Sequence, residues 1–191
     1  MMALAGCTTA QGGTAAPADA RPRPTTYQAP ANGAVGVTLP PRPADVPLTG
    51  ADPCALLTAT QRKQLGVAQG VKGLPAQLVN NSPTCNFRLT GGLPGPEFNV
   101  AVDTTEGIQL FLNPQLANTV RQVSVHEFPA LDITLKAPDL LQGCTTAVSV
   151  ASGQMIVVNL GQPSSGTTTA QSCARTEQVA GAVLTTARTS R

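Results

Sequence analysis

The chain has few of the residues that usually perform chemistry or stack on ligands. Among 191 residues there is no tryptophan, one tyrosine, four phenylalanines and one histidine. So few aromatic rings leave little from which to build a stacking platform for bases or sugars. Charged residues are only 12%, about half the usual share. A net charge of +2 supplies no basic stripe, which argues against nucleic acid as a partner. No run of about 18 apolar residues occurs, so no transmembrane helix is expected. The motifs of phosphate-binding loops, dinucleotide folds, zinc proteases and nucleophile elbows are absent. No cofactor is expected, and no catalytic residue is assigned.

What is present starts with Leu4-Ala5-Gly6-Cys7. An apolar residue, two small residues and a cysteine read as a bacterial lipobox, whose cysteine receives diacylglycerol. A secretory signal also needs a positive n-region and roughly 7–15 apolar residues, and only Met1 to Gly6 precede Cys7. The reading adopted is that residues 1–7 are the remnant of a lipoprotein signal whose true start lies upstream; a chance match in an alanine-rich chain is the alternative. Each buried acyl CH₂ contributes about 0.8 kcal/mol, so two or three palmitate-class chains on Cys7 would anchor the protein stably to the outer face of a membrane.

Residues 8–50 carry eight prolines among threonine, alanine and glycine. Such a segment cannot bury enough apolar surface to offset its ordering entropy, and it is expected to be a disordered tether. A single domain is expected over 51–191. Asp52-Pro53 reads as a helix start, with Asp as N-cap and Pro at the first helical position, and Leu56, Leu57 and Leu65 share one side of a helix ending at Gly66. Thr84–Thr90 and Phe98–Val102 alternate apolar and polar residues as half-buried strands do. Asp103-Thr104-Thr105-Glu106 resembles a capping box ahead of a short helix reaching Leu112. Strands are expected over Val120–Phe128 and Ala130–Leu135, separated at Pro129. A hairpin is expected over Thr145–Leu160, turning at Ser152-Gly153. The last element, Thr169–Arg188, is a helix with Val179, Ala180, Val183, Leu184 and Ala187 in one apolar stripe. Antiparallel strands with N-terminal, short middle and long C-terminal helices make the fold class α+β.

Beyond Cys7 stand Cys54, Cys85, Cys144 and Cys173. Four cysteines allow three pairings. Cys54–Cys85 and Cys144–Cys173 are favoured, because each joins a helix to a strand. A zinc site is disfavoured, since its ligands usually stand two to four residues apart and these do not. His126 would be a general base only with Glu127 or Asp132 beside it; a solvent-facing strand histidine is the plainer expectation. Glu97, Asp103, Glu106, Glu127 and Asp132 are the carboxylates from which a glycosidase pair would be drawn, but Asp103 and Glu106 are better explained as helix caps.

Asp52-Pro53-Cys54-Ala55-Leu56-Leu57, the Cys85-x-Phe87 strand, Gly143-Cys144 before a valine-rich hairpin and Cys173 in the last helix resemble the actinobacterial lipoproteins grouped as domain of unknown function 3558. The resemblance spans about Asp52 to Arg188, with the lipobox and Pro-rich spacer. It implies an envelope-facing, lipid-anchored α+β domain with structural disulfides, and it carries over no catalytic residue. The expected function is therefore a non-enzymatic, lipid-anchored envelope protein binding a small apolar ligand or an envelope protein. The alternatives are an assembly subunit of an envelope complex and a hydrolase of envelope material.

Overall fold

The computed structural model describes residues 26–27, 39–91, 97–135, 143–161, 163 and 165–190. Cys7 and most of the tether lie outside the described residues. The described chain forms one antiparallel sheet. Its strands are β1 (Thr26–Tyr27), β2 (Val71–Lys72), β3 (Thr84–Arg88), β4 (Glu97–Asp103), β5 (Ala117–Val125), β6 (Phe128–Leu135), β7 (Thr145–Ala151) and β8 (Gln154–Gly161). They lie in the order β1-β5-β6-β7-β8-β4-β3-β2. Two α-helices, α1 (Ala59–Leu65) and α2 (Thr169–Thr189), and three short 3-10 turns complete the α+β fold.

The long helix α2 covers one face of the sheet. Its stripe of Val179, Ala180, Val183, Leu184 and Ala187 is buried, as the 3.6-residue period predicts. Opposite it lie Phe87, Phe98, Val100, Val148, Ile156 and Val158 in a shared core. The other face is covered by the 3-10 turn Ile108–Leu112, whose Ile108 and Phe111 pack with Ala101, Leu131, Ala147 and Met155. β7 is buried at every position, because both of its faces are roofed. All four phenylalanines are fully buried, so the scarce aromatic rings are used for packing.

Several local expectations change. The N-terminal helix is divided: Pro53–Ala55 is a 3-10 turn capped by Asp52, and α1 begins afresh after Thr58. The reason is a capping box. Thr58 Oγ1 accepts from Gln61 N (3.2 Å), and Gln61 Oε1 accepts from Thr58 N (2.8 Å). Gly66 does end α1, in the left-handed conformation with φ 66°. Pro129 does not divide two strands; it lies within β6, paired with Ser124. The turn is His126-Glu127, whose φ values of 46° and 70° mark a type I′ hairpin without the usual Asn-Gly. His126 is thus a turn residue rather than a strand residue. The short middle helix is the 3-10 turn at Ile108–Leu112, and Asp103 holds the preceding turn by accepting from Thr105 N and Glu106 N.

Packed chain also begins before Asp52. Val46 and Leu48 are core residues, Val46 N donates to Val150 O (2.7 Å), and Leu48 N donates to Gln154 Oε1 (2.7 Å). Isolated apolar residues between prolines read as tether, yet here they meet the end of the β7–β8 hairpin.

Both favoured disulfides are present. Cys54–Cys85 ties the first 3-10 turn to β3, and Cys144–Cys173 ties the entry of β7 to α2, with Cα separations of 5.1 and 4.9 Å.

Candidate functional site

Three ionisable groups, Arg121, Asp132 and Glu177, converge between the β5–β6 hairpin and the first turns of α2. Asp132 is the anomaly that marks it. On β6 the residues facing α2 alternate as Phe128, Ala130 and Asp132, so the period of two that buries the first two buries the carboxyl as well. Arg121, directly opposite on β5, is bonded through Nη2 to Asp132 Oδ2. The same nitrogen donates to Glu177 Oε1 at 2.8 Å. Thr146 Oγ1 donates to Asp132 Oδ1 at 2.7 Å, and Thr176 Oγ1, 2.7 Å from Thr146 Oγ1, has its single proton shared between that hydroxyl and Cys173 O (2.9 Å). A buried chain of hydroxyls therefore links the carboxyl to the backbone of α2 at the second disulfide.

One guanidinium serves two carboxyls here, and that imbalance sets the protonation. The Asp132 pKa is raised from 3.8 to about 7, first by burial and then by the neighbouring Glu177, while Thr146 and the Arg121 charge pull the other way. With both carboxyls ionised the cluster would carry one uncompensated negative charge, with its Asp132 end out of water. Holding a proton removes it.

The cluster borders an open cleft of about 500 Å³, walled by Thr119, Thr134, Thr169, Ala170 and Cys173 around Arg121 and Glu177. The Cys144 and Cys173 sulfurs and one Asp132 oxygen lie within 4.8 Å of one another. Those sulfurs are bonded to each other, which removes them as metal ligands while the disulfide is intact.

The other residues singled out from sequence are scattered. His126 is exposed, with Nδ1 3.3 Å from Thr185 Oγ1 and its ring against Gly181 of α2. It has no bond to Asp132, and the Thr185 hydroxyl beside it donates to Gly181 O of its own helix (2.8 Å). Glu97 lies 3.5 Å from Arg88 at the surface, and Asp103 is occupied by its turn. Arg121 and Glu177 went unnoticed in the sequence because they stand 56 residues apart. The available signal was Asp132 itself, a charged residue between Leu131 and Ile133 in an otherwise apolar strand.

A second surface feature lies at the opposite edge of the sheet. Among the described residues the exposed large apolar side chains are Val71 (68%), Leu74 (88%) and Leu78 (38%). All three fall within eight residues, on and just after the edge strand β2.

The model of the family described as "Protein of unknown function (DUF3558)" matches residues 2–186. The chain belongs to that family. No curated protein and no solved structure matches it. The match spans the cleft, the edge and both disulfides of this DUF3558 member, so these features sit within the family's own extent.

Proposed function

We propose that this protein is a lipoprotein held at the outer face of the cell membrane through acyl chains on Cys7, and that its folded domain is a non-catalytic module that binds an envelope protein. The observation that carries the binding role is that Val71, Leu74 and Leu78, exposed apolar side chains, fall on and just after the edge strand β2. Exposed apolar side chains on an edge strand are a liability that soluble domains normally blunt. The occupant that fits is an extended segment of a protein partner. It adds a strand alongside β2 through backbone hydrogen bonds and places alternate apolar side chains against Val71 and Leu74.

The lipid anchor is supported by cysteine accounting. Of five cysteines, four pair with one another inside the domain. The fifth is the one that follows Leu-Ala-Gly. Two disulfides also suit an oxidising compartment outside the cytoplasm.

The test places a photo-crosslinking amino acid at Leu74 in the native host and identifies the adduct by mass spectrometry. One defined envelope protein is expected, and the adduct disappears when Val71→Asp is introduced with the domain still folded. No adduct, or one indifferent to Val71→Asp, sinks the binding role. Cys7→Ala is expected to move the protein from the membrane to the soluble fraction; unchanged fractionation sinks the anchor.

A second reading, a small ligand in the cleft beside α2, is favoured by Arg121 and its paired carboxyls. It predicts a co-purifying molecule that Arg121→Ala releases.

A further inference from the structure

Two disulfides hold this domain, but only one is described with a buried acid at its sulfurs. Cys173 is 6% exposed and lines the cleft, whereas Cys144 is fully buried. A nucleophile entering the cleft meets the Cys173 sulfur first, and the Cys144 sulfur becomes the leaving group. The Cys144 backbone is tied to β8, with Leu160 N donating to Cys144 O (3.2 Å), and its sulfur leaves from a point within 4.8 Å of an Asp132 carboxyl oxygen.

We propose that Cys144–Cys173 is an exchangeable disulfide, reduced by a dithiol that attacks Cys173 while Asp132 protonates the departing Cys144 sulfur. The reductant is named by class: a small dithiol, or a protein carrying a reactive pair of thiols. In the first step a thiolate of the dithiol forms a sulfur–sulfur bond to Cys173. The Cys144–Cys173 bond breaks, its electron pair passes to Cys144, and Cys144 takes the proton of the Asp132 carboxyl. In the second step the remaining thiol of the reagent, as thiolate, attacks its own sulfur in the mixed disulfide and releases Cys173, which takes a proton from water. The protein gains two electrons and two protons, the dithiol becomes a disulfide, and Asp132 recovers its proton from solvent.

The surroundings explain why the acid is needed. Exchange quickens as the leaving thiol becomes easier to expel. A bare thiolate at Cys144 would stand, buried, beside Asp132 and Glu177 with Arg121 as the one cation bonded to both carboxyls. A proton delivered during departure moves that charge from the sulfur to the Asp132 carboxylate, which is already bonded to Arg121 and Thr146. The pair Cys54–Cys85 offers a contrast within the same molecule. Cys85 is fully buried beside the Phe87 ring and Cys54 is partly exposed, so that bridge differs not in access but in its acid: the carboxyl nearest in sequence, Asp52, accepts from Cys54 N at the exposed turn start.

This inference needs neither the membrane anchor nor the sheet-edge partner. The test treats the full chain with dithiothreitol between pH 5.5 and 8.5, alkylates at intervals and maps each disulfide by mass spectrometry. Rates are expressed per reagent thiolate. For Cys144–Cys173 this rate is expected to fall as pH rises through about 7, where Asp132 loses its proton. Asp132→Asn is expected to slow it about a hundredfold at pH 6, the low end of the ~10²–10⁴ range for a positioned acid. Cys54–Cys85 should respond to neither change. If Asp132→Asn fails to fold, Glu177→Gln at the half-exposed rim serves instead: it removes a group that raises the Asp132 pKa, so the falling limb should move to lower pH. A flat profile, an Asn variant as fast as the parent, a limb unmoved by Glu177→Gln, or both disulfides opening together at the unfolding rate would each overturn the proposal.

Discussion

The two disulfides close loops of nearly equal length, 31 and 29 residues apart in sequence, and chain entropy alone would make them equivalent. Their settings differ. Cys54–Cys85 is built into an apolar wall with Phe87 and Gly70, while Cys144–Cys173 borders a cleft and a buried carboxyl. A loop-length argument measures what a bridge does to the unfolded chain. It is blind to what surrounds the sulfurs, and that is where the two bridges part in chemistry.

The largest effect that sharpens the comparison comes from deleting each bridge. Cys54→Ala with Cys85→Ala, and Cys144→Ala with Cys173→Ala, are each expected to cost roughly 3–4 kcal/mol by the loop-closure model. Urea denaturation of the two double variants checks this. Losses that differ by several kcal/mol would break the entropic equivalence and place the stabilisation in native contacts instead.

Next comes pH, which should distinguish one site only. The folded state holds the Asp132 proton up to about pH 7, against 3.8 when unfolded. The native state therefore binds more protons between those values, and stability falls as pH rises through that window. Below about 4 the contribution is fully present; above about 7 it is gone. Asp132→Asn removes the slope, so relative to the parent the variant gains on the order of 2–4 kcal/mol between pH 4 and pH 8. Parallel curves for parent and variant would remove Asp132 as the titrating group.

A smaller effect tests the glycine beside each bridge. A Cβ at Gly143 would meet a backbone oxygen at 1.9 Å, whereas one at Gly70 would meet the Cys85 sulfur at 2.5 Å and the Phe87 ring at 2.6 Å. Overpacking of this kind costs about 1–3 kcal/mol. Gly143→Ala should lie at the upper end, because a backbone carbonyl yields less than a side chain. The reverse order, read by thermal unfolding, would mean that the Phe87 wall is the stiffer of the two.

The smallest effect concerns how α2 presents Cys173 to the cleft. Thr168 caps α2 by accepting from Gln171 N at 3.2 Å, with Gln171 Oε1 accepting from Thr168 N at 2.8 Å. Thr168→Ala is expected to cost about 1 kcal/mol and to raise amide exchange in the first turn of α2, leaving Cys54–Cys85 untouched.

Much of this architecture was legible residue by residue. The β7–β8 hairpin, the buried alternation of Phe98, Val100 and Val102 and the stripe on α2 follow from period and turn residues, and the favoured one of the three possible disulfide pairings is the one present. The turn at His126-Glu127 was hidden because neither residue advertises a positive φ. Val46 and Leu48 were hidden because their partners, Val150 and Gln154, stand about a hundred residues away.

The sequence by itself determined the periodic elements and the α+β class, because each depends on short-range spacing that the backbone geometry reads directly; it favoured one disulfide pairing among three without fixing it. Only the tertiary structure decided that Arg121, Asp132, Thr146 and Glu177 meet beside Cys144–Cys173, and that Val71, Leu74 and Leu78 are left uncovered. Those outcomes depend on strand register and on which faces α2 and the 3-10 turn roof over. Such long-range choices are made by the packing of the whole chain, and no local pattern encodes them.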